Sequence, residues 1–148
     1  MKMVDVGDKD RTARTAVATA RVLMSAEALR KIRSGKVEKG DVLAAARLAA
    51  VMAAKRTPDL VPLCHPISLA GVQAEVAPGK GGVDIRVEVK AVDRTGVDME
   101  ALTAASAAAL TVYDMLKGTD RGMVIERVQL EHKSGGRLGT WNRARAKP

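Results

Sequence analysis

The sequence predicts an α+β protein with a ferredoxin-like fold, an antiparallel sheet with helices packed on one face. Three observations carry this expectation. Segment 83–92, "VDIRVEVKAV", alternates apolar and charged residues at a period of two, as a half-buried strand does. Segment 97–118, "VDMEALTAASAAALTVYDMLKG", is a long run of helix formers closed by Gly118. The order of segments along the chain is strand, helices, strand, strand, helix, strand.

The elements follow in turn. Residues 3–9, "MVDVGDK", form a short extended start that turns at Gly7. Residues 13–24, "ARTAVATARVLM", mix β-branched and small residues and predict a strand. Residues 25–35 predict a short helix with Ser25 as N-cap and Gly35 as its stop. Residues 40–56 predict a second helix, with Asp41 near its start and Lys55 and Arg56 near its end, as the macrodipole favours. Pro58 is expected to end it. Pro58, Pro62 and Pro66 then recur at a spacing of four through "TPDLVPLCHPISL" (57–69), a stretch expected not to be helical. It presents Leu63, Cys64 and His65 rigidly. Residues 67–77 predict a strand, 78–82 ("PGKGG") a turn, and 83–92 the returning strand of an antiparallel hairpin. Residues 123–132 predict the last strand, and the basic, Gly-rich segment 133–148 is expected to be a mobile tail. No repeat or long linker divides the 148 residues, so a single domain spanning 1–148 is expected.

Composition narrows the function. Hydrophobic residues make up 47% of the chain but aromatics only 1%, so its core must be built from small aliphatic side chains. The net charge of +8 favours polyanionic partners. A single-strand binder would add stacking aromatics to its basic groups, and an RNA-binding ferredoxin-like domain would carry them on its sheet; the near absence of both leaves a phosphorylated small molecule ahead of nucleic acid. One cysteine excludes an internal disulfide, and one Cys with two His is a poor zinc set. With no signal peptide and no long apolar run, a soluble cytoplasmic protein without membrane association is expected.

The long helix carries few charges: Asp98, Glu100, Asp114 and Lys117. Its alanines leave almost no polar face, which suggests burial in a subunit interface rather than under a loop. Glu100 and Asp114 lie about 21 Å apart along the axis and cannot share one small reaction centre within a subunit. Asp114 and Lys117, three apart, do face each other. Such a pair is ordinarily a solvated ion pair, but at the end of an apolar helix it can also be poised for proton transfer. Lys39 precedes a helix N-terminus, where a cation opposes the macrodipole. Either it is simply solvated, or it helps that helix end to grip an anion. In "KSGGR", Lys133 and Arg137 flank two glycines that permit close backbone approach to phosphate, although a tail of this composition is commonly only a tail. His65 can exchange protons near neutrality or be structural, and Cys64 reads as a small buried residue.

Taken together, "MVDV", "KGDVLAAARLAAVMAAKRTPDLVPLCHPISL", "TGVDMEALTAASAAALTVYDMLKG" and "KSGG" resemble the MoaC family of molybdenum cofactor biosynthesis, from about Met3 to Gly136. The resemblance implies a phosphorus–oxygen lyase that needs no metal or organic cofactor. Its substrate would be a GTP derivative whose ribose is joined to the guanine ring, and its products cyclic pyranopterin monophosphate and diphosphate. It further implies a homohexamer, a trimer of dimers, with active sites at subunit interfaces. By the same resemblance Lys39, Asp114 and Lys117 are catalytic. Leu63, Cys64, His65, Met99 and Glu100 contact the substrate, as do the basic residues Arg14 and Lys133, for which its phosphates are the expected partners. Asp98 stands where some relatives have Glu, which shortens the reach of a substrate-contacting carboxylate. Ring opening and closure need repeated proton transfers, for which lysines of lowered pKa are expected. A non-catalytic nucleotide- or pterin-binding module would keep "LCHP" but could lose Lys39, Asp114 and Lys117, and all three are present.

Overall fold

A computed structural model describes residues 1–144. Among them run β1 (Thr12–Leu23), α1 (Ala26–Ser34), α2 (Val42–Lys55), α3 (Thr57–Leu60), β2 (Leu69–Gly79), β3 (Gly82–Asp93), α4 (Asp98–Leu116), β4 (Val124–Ser134) and β5 (Trp141–Asn142). The α+β class expected from the pattern holds. The strands form one sheet in the order β2-β3-β1-β4-β5, with all pairings antiparallel. β3 therefore sits between β1 and β2, and it pairs with β1 over the full span from Thr12↔Asp93 to Leu23↔Gly82.

Local chemistry explains the elements. Val83, Ile85, Val87, Val89 and Ala91 are all buried, so the alternation of β3 marks the face it turns to the core. The hairpin closes over Lys80 and Gly81, a tighter turn than the five residues expected, because both strands extend further into it. Ser25 caps α1 by accepting from the Ala28 amide at 3.2 Å. Asp41 caps α2, accepting from the Ala44 amide at 3.0 Å.

The core is a layer of two long helices on the sheet. Ala46, Ala50 and Ala54 of α2 and Ala101, Ala104, Ala105 and Ala108 of α4 are buried at or near zero exposure. Small side chains here let the two helices approach closely. The outward faces of these helices keep Leu48, Met52 and Leu110 exposed at 62%, 48% and 61%.

Three expectations change. Pro58 does not end the helical stretch, because residues 57–60 add the single turn α3 with Pro58 in its first turn. A proline is tolerated there because that turn's amides have no intrahelical partner to lose. Beyond it, residues 63–68 are non-helical, as expected. The last strand does not stop at 132: β4 runs to Ser134, and Trp141 and Asn142 pair back to Lys133 and His132. The tail is thus sheet in part, ordered by ladder bonds that its Gly-rich composition concealed. Residues 145–148 lie outside the described residues.

Candidate active site

The expected site residues fall into two groups, one at each end of α4. The C-terminal group starts from the turn "KGD". Gly40 has a φ of 102°, a left-handed conformation that glycine adopts without strain, and it turns the chain into the Asp41 cap. Lys39, just before it, is thereby brought against the last turns of α4. Its Nζ lies 2.6 Å from Asp114 Oδ2 and 3.1 Å from the Asp114 carbonyl oxygen. Lys117, one turn along α4, reaches Asp114 Oδ1 at 2.7 Å. One carboxylate therefore accepts from two amines, one on each oxygen. Lys39 engages this carboxylate and does not stand free over the α2 terminus.

Hydrogen bonds from Lys117 and then Lys39 hold the Asp114 carboxyl down at about 2. The same hydrogen bond, donated by Lys117 to Asp114, raises the Lys117 amine. The sequence-based expectation of lysines with lowered pKa is therefore reversed at Lys117, since it pairs with an anion and is little desolvated. All three side chains are about half exposed. They line a groove of about 510 Å³ with Lys31, Lys36 and Arg121. Those three flanking cations escaped the sequence reading, as nothing in their local pattern separates them from ordinary surface charge.

The N-terminal group gathers where β1 begins, β3 and β4 end, and the 63–68 segment enters β2. Glu100, on the first turn of α4, is 1% exposed. The Cys64 thiol lies 3.6 Å from Glu100 Oε1, in position to donate to it, with the His65 carbonyl at 3.7 Å as an alternative acceptor. Glu100 Oε2 has no partner among the described residues. Burial pushes the Glu100 carboxyl up. Burial and the neighbouring Glu100 push the Cys64 thiol up to about 11. Cys64 is thus partly buried rather than the small buried residue expected, and its raised thiol makes it a poor nucleophile. His65 is half-buried beside this pair, while Leu63 and Met99 are 46% and 38% exposed at its edge.

A basic pocket of about 430 Å³ adjoins this group, lined by Lys9, Arg14, Arg94, Lys133 and Arg137 among others. Arg14 is anchored through Nε and Nη2 to the carbonyls of Asp93 and Arg94, at 3.3 and 3.2 Å. The glycines of "KSGG" fold over it. A Cβ on Gly135 would meet the Ala13 carbonyl at 2.1 Å, and one on Gly136 would meet Arg14 Nη1 at 1.9 Å. Lys133 Nζ is bonded to Asp98 Oδ2 at 2.5 Å. Lys9 and Arg94 were missed by the sequence reading, because only the tertiary fold brings 9, 94 and 133 together.

Each group has its own chemistry. The exposed one holds a fixed carboxylate and two amines able to donate protons. The other offers a buried carboxyl with a free oxygen and a cationic pocket suited to phosphate. The two are separated by the length of α4, about 21 Å from Glu100 to Asp114.

The model of the MoaC family matches residues 3–136. A Methylobacterium protein is 57% identical over 141 residues, which is 94% of this chain and 88% of the relative. A Thermomicrobium roseum protein is 55% identical over 144 residues, covering 96% and 87%. A Streptomyces avermitilis protein is 54% identical over 143 residues, covering 97% and 84%. All three are named cyclic pyranopterin monophosphate synthase. With the family matched along nearly its whole length, this chain belongs to the MoaC family.

Proposed function

We propose that this protein is a cyclic pyranopterin monophosphate synthase, a phosphorus–oxygen lyase of molybdenum cofactor biosynthesis that acts in the cytoplasm. Its substrate is the GTP derivative in which ribose is joined to the guanine ring; its products are cyclic pyranopterin monophosphate and diphosphate. The observation that carries this reading is the convergence of Lys39 and Lys117 on the Asp114 carboxylate, from positions 75 and three residues away.

The residues then take the following roles. Asp114 stays ionised at working pH and orients both amines. Lys117, raised by that carboxylate, is charged at rest and acts first as a proton donor to the ring system. The amine left neutral can take a proton back in a later step, so one pair serves both directions of transfer. Arg14 and Lys133 hold the phosphates, whose charge grows as diphosphate leaves. Leu63, Cys64, His65, Met99 and Glu100 contact the ring, and Glu100 Oε2 is free to bond to it.

Within one chain the two groups are too distant to act on one substrate. The site is therefore completed across subunits, in a homohexamer built as a trimer of dimers. The exposed Leu48, Met52 and Leu110 support this assembly, since apolar side chains of that size gain from being covered. Neither nucleic acid nor a membrane is a partner in this reading. Among the described residues no helix is long and apolar enough to cross a membrane. The test is to supply purified protein with the cyclised GTP intermediate and assay the pterin and diphosphate. Release of both in equal amounts is expected, and no turnover under conditions where an established synthase is active would overturn the reading.

A further inference from the structure

The Asp98–Lys133 pair differs from the two ion pairs on Asp114. Both side chains are about two-thirds covered or more, at 27% and 32% exposure. Asp98 Oδ2 takes the Lys133 ammonium at 2.5 Å, while Oδ1 is buried with no partner among the described residues. Lys133 comes from β4, opposite Ala16 of β1, and shares its pocket with Arg14, Arg94 and Arg137. Those like charges repel its ammonium and would drive a long, flexible side chain out toward water. The Asp98 carboxylate opposes that drive by accepting its hydrogen bond. Asp98 is placed for this on the first turn of α4, where a negative charge is also favoured by the helix dipole.

The chain leaves room for the pair at one further point. A Cβ on Gly96 would sit 2.6 Å from Asp98 Oδ1 and 3.7 Å from Lys133 Nζ. The backbone there has no positive φ, so conformation does not demand glycine at 96. What glycine provides is space for the Asp98 carboxylate.

We infer that Asp98 is a positioning residue, which acts on the substrate's phosphates only by holding Lys133 inside the pocket, and that Gly96 is bare to let it do so. This rests on the reading of Lys133 as a phosphate contact. It revises the expectation that Asp98 meets the substrate itself: the short carboxylate is engaged by Lys133.

Gly96→Ala tests this without changing any charge. The nearest atom to the new methyl is the free end of a flexible carboxylate, which can swing aside, so the fold should survive. Displacing a binding group by about 1 Å can cost up to about a hundredfold. We expect Gly96→Ala to raise KM for the cyclised GTP intermediate, and the Kd for inorganic triphosphate by calorimetry, by about tenfold, with kcat little changed. Asp98→Ala should weaken triphosphate binding similarly, and Asp98→Glu should restore part of it. Once Lys133→Ala is in place, Gly96→Ala should add no further loss, because Asp98 then has nothing to hold. Unchanged KM and Kd in Gly96→Ala, or a full additional loss on the Lys133→Ala background, would overturn the inference. So would a wild-type chain that binds no triphosphate. A wild-type chain that binds triphosphate but turns nothing over would instead count against the proposed activity, and the binding arm would still decide the role of Asp98.

Discussion

Asp114 and Glu100 are carboxylates on one helix, four turns apart, and the fold puts them in opposite states. Asp114 is about half exposed, bonded to two amines, and held down at about 2. Glu100 is buried against Cys64, with one oxygen unpartnered, and its carboxyl is pushed up. Neighbouring cations set the first and desolvation sets the second. The two states suit the separate roles proposed for them, and sequence position alone does not distinguish them.

The strongest way to break this contrast is at the exposed end. Asp114→Asn removes the anion that both amines share, and Lys117→Ala removes one donor. Each should cut turnover by roughly a hundredfold or more, the range expected for losing a general acid–base group. Since these side chains are largely solvated, thermal melting should hardly move. A loss of rate matched by a loss of folded protein would mean that the cluster is structural.

The buried end gives the next largest effect. With its thiol at about 11 against an ordinary 9.0, Cys64 holds about a hundredfold less thiolate near pH 8, of which greater basicity recovers about tenfold. Iodoacetamide should therefore modify it about tenfold more slowly than a free thiol, or slower still. Labelling at the rate of a free thiol would show that the pocket is open to solvent. Glu100→Gln should speed labelling, though only in part, because burial is the larger cause.

Two smaller effects should have opposite signs in pH. For Glu100 the folded chain holds a proton that the unfolded chain has released. Its contribution is therefore greatest below the ordinary 4.5 and declines as pH rises through the raised value. Glu100→Gln should flatten that decline in denaturant titrations. For Asp114 the contribution is present above 3.8 and is lost as pH falls toward about 2. Its exposure makes the effect small and sensitive to salt, so Asp114→Asn should matter least for stability and least of all at high ionic strength. Matching pH trends in the two variants would remove the distinction between the ends.

What was legible in the sequence was what local pattern controls. The alternation of 83–92, the cap at Ser25, the stop at Gly35 and the place of Asp41 at the start of α2 all specify structure within a few residues, and all are present. The separation of Glu100 from Asp114 was legible too, because it follows from helix rise alone. The pairing of Lys39 with Asp114 was not, since 75 residues intervene and only the packing of α2 on α4 closes the distance. The direction of the Lys117 shift was misread because lowered lysines were expected from the proton transfers of the reaction, whereas Lys117 is half exposed and bonded to the Asp114 carboxylate. β5 was hidden in a Gly-rich segment whose strand character comes from its partner, β4, rather than from its own residues.

The central claim is that one site draws its two ends from different subunits, and mixed oligomers test it most directly. Asp114→Asn chains keep an intact ring-binding end, and His65→Ala chains keep an intact proton-transfer end. Each alone should be inactive. Co-assembled and verified as mixed by mass spectrometry, they should regain a substantial fraction of wild-type activity, from interfaces where both good halves meet. Mixed oligomers as inactive as either parent would place the whole site within one chain and contradict the account.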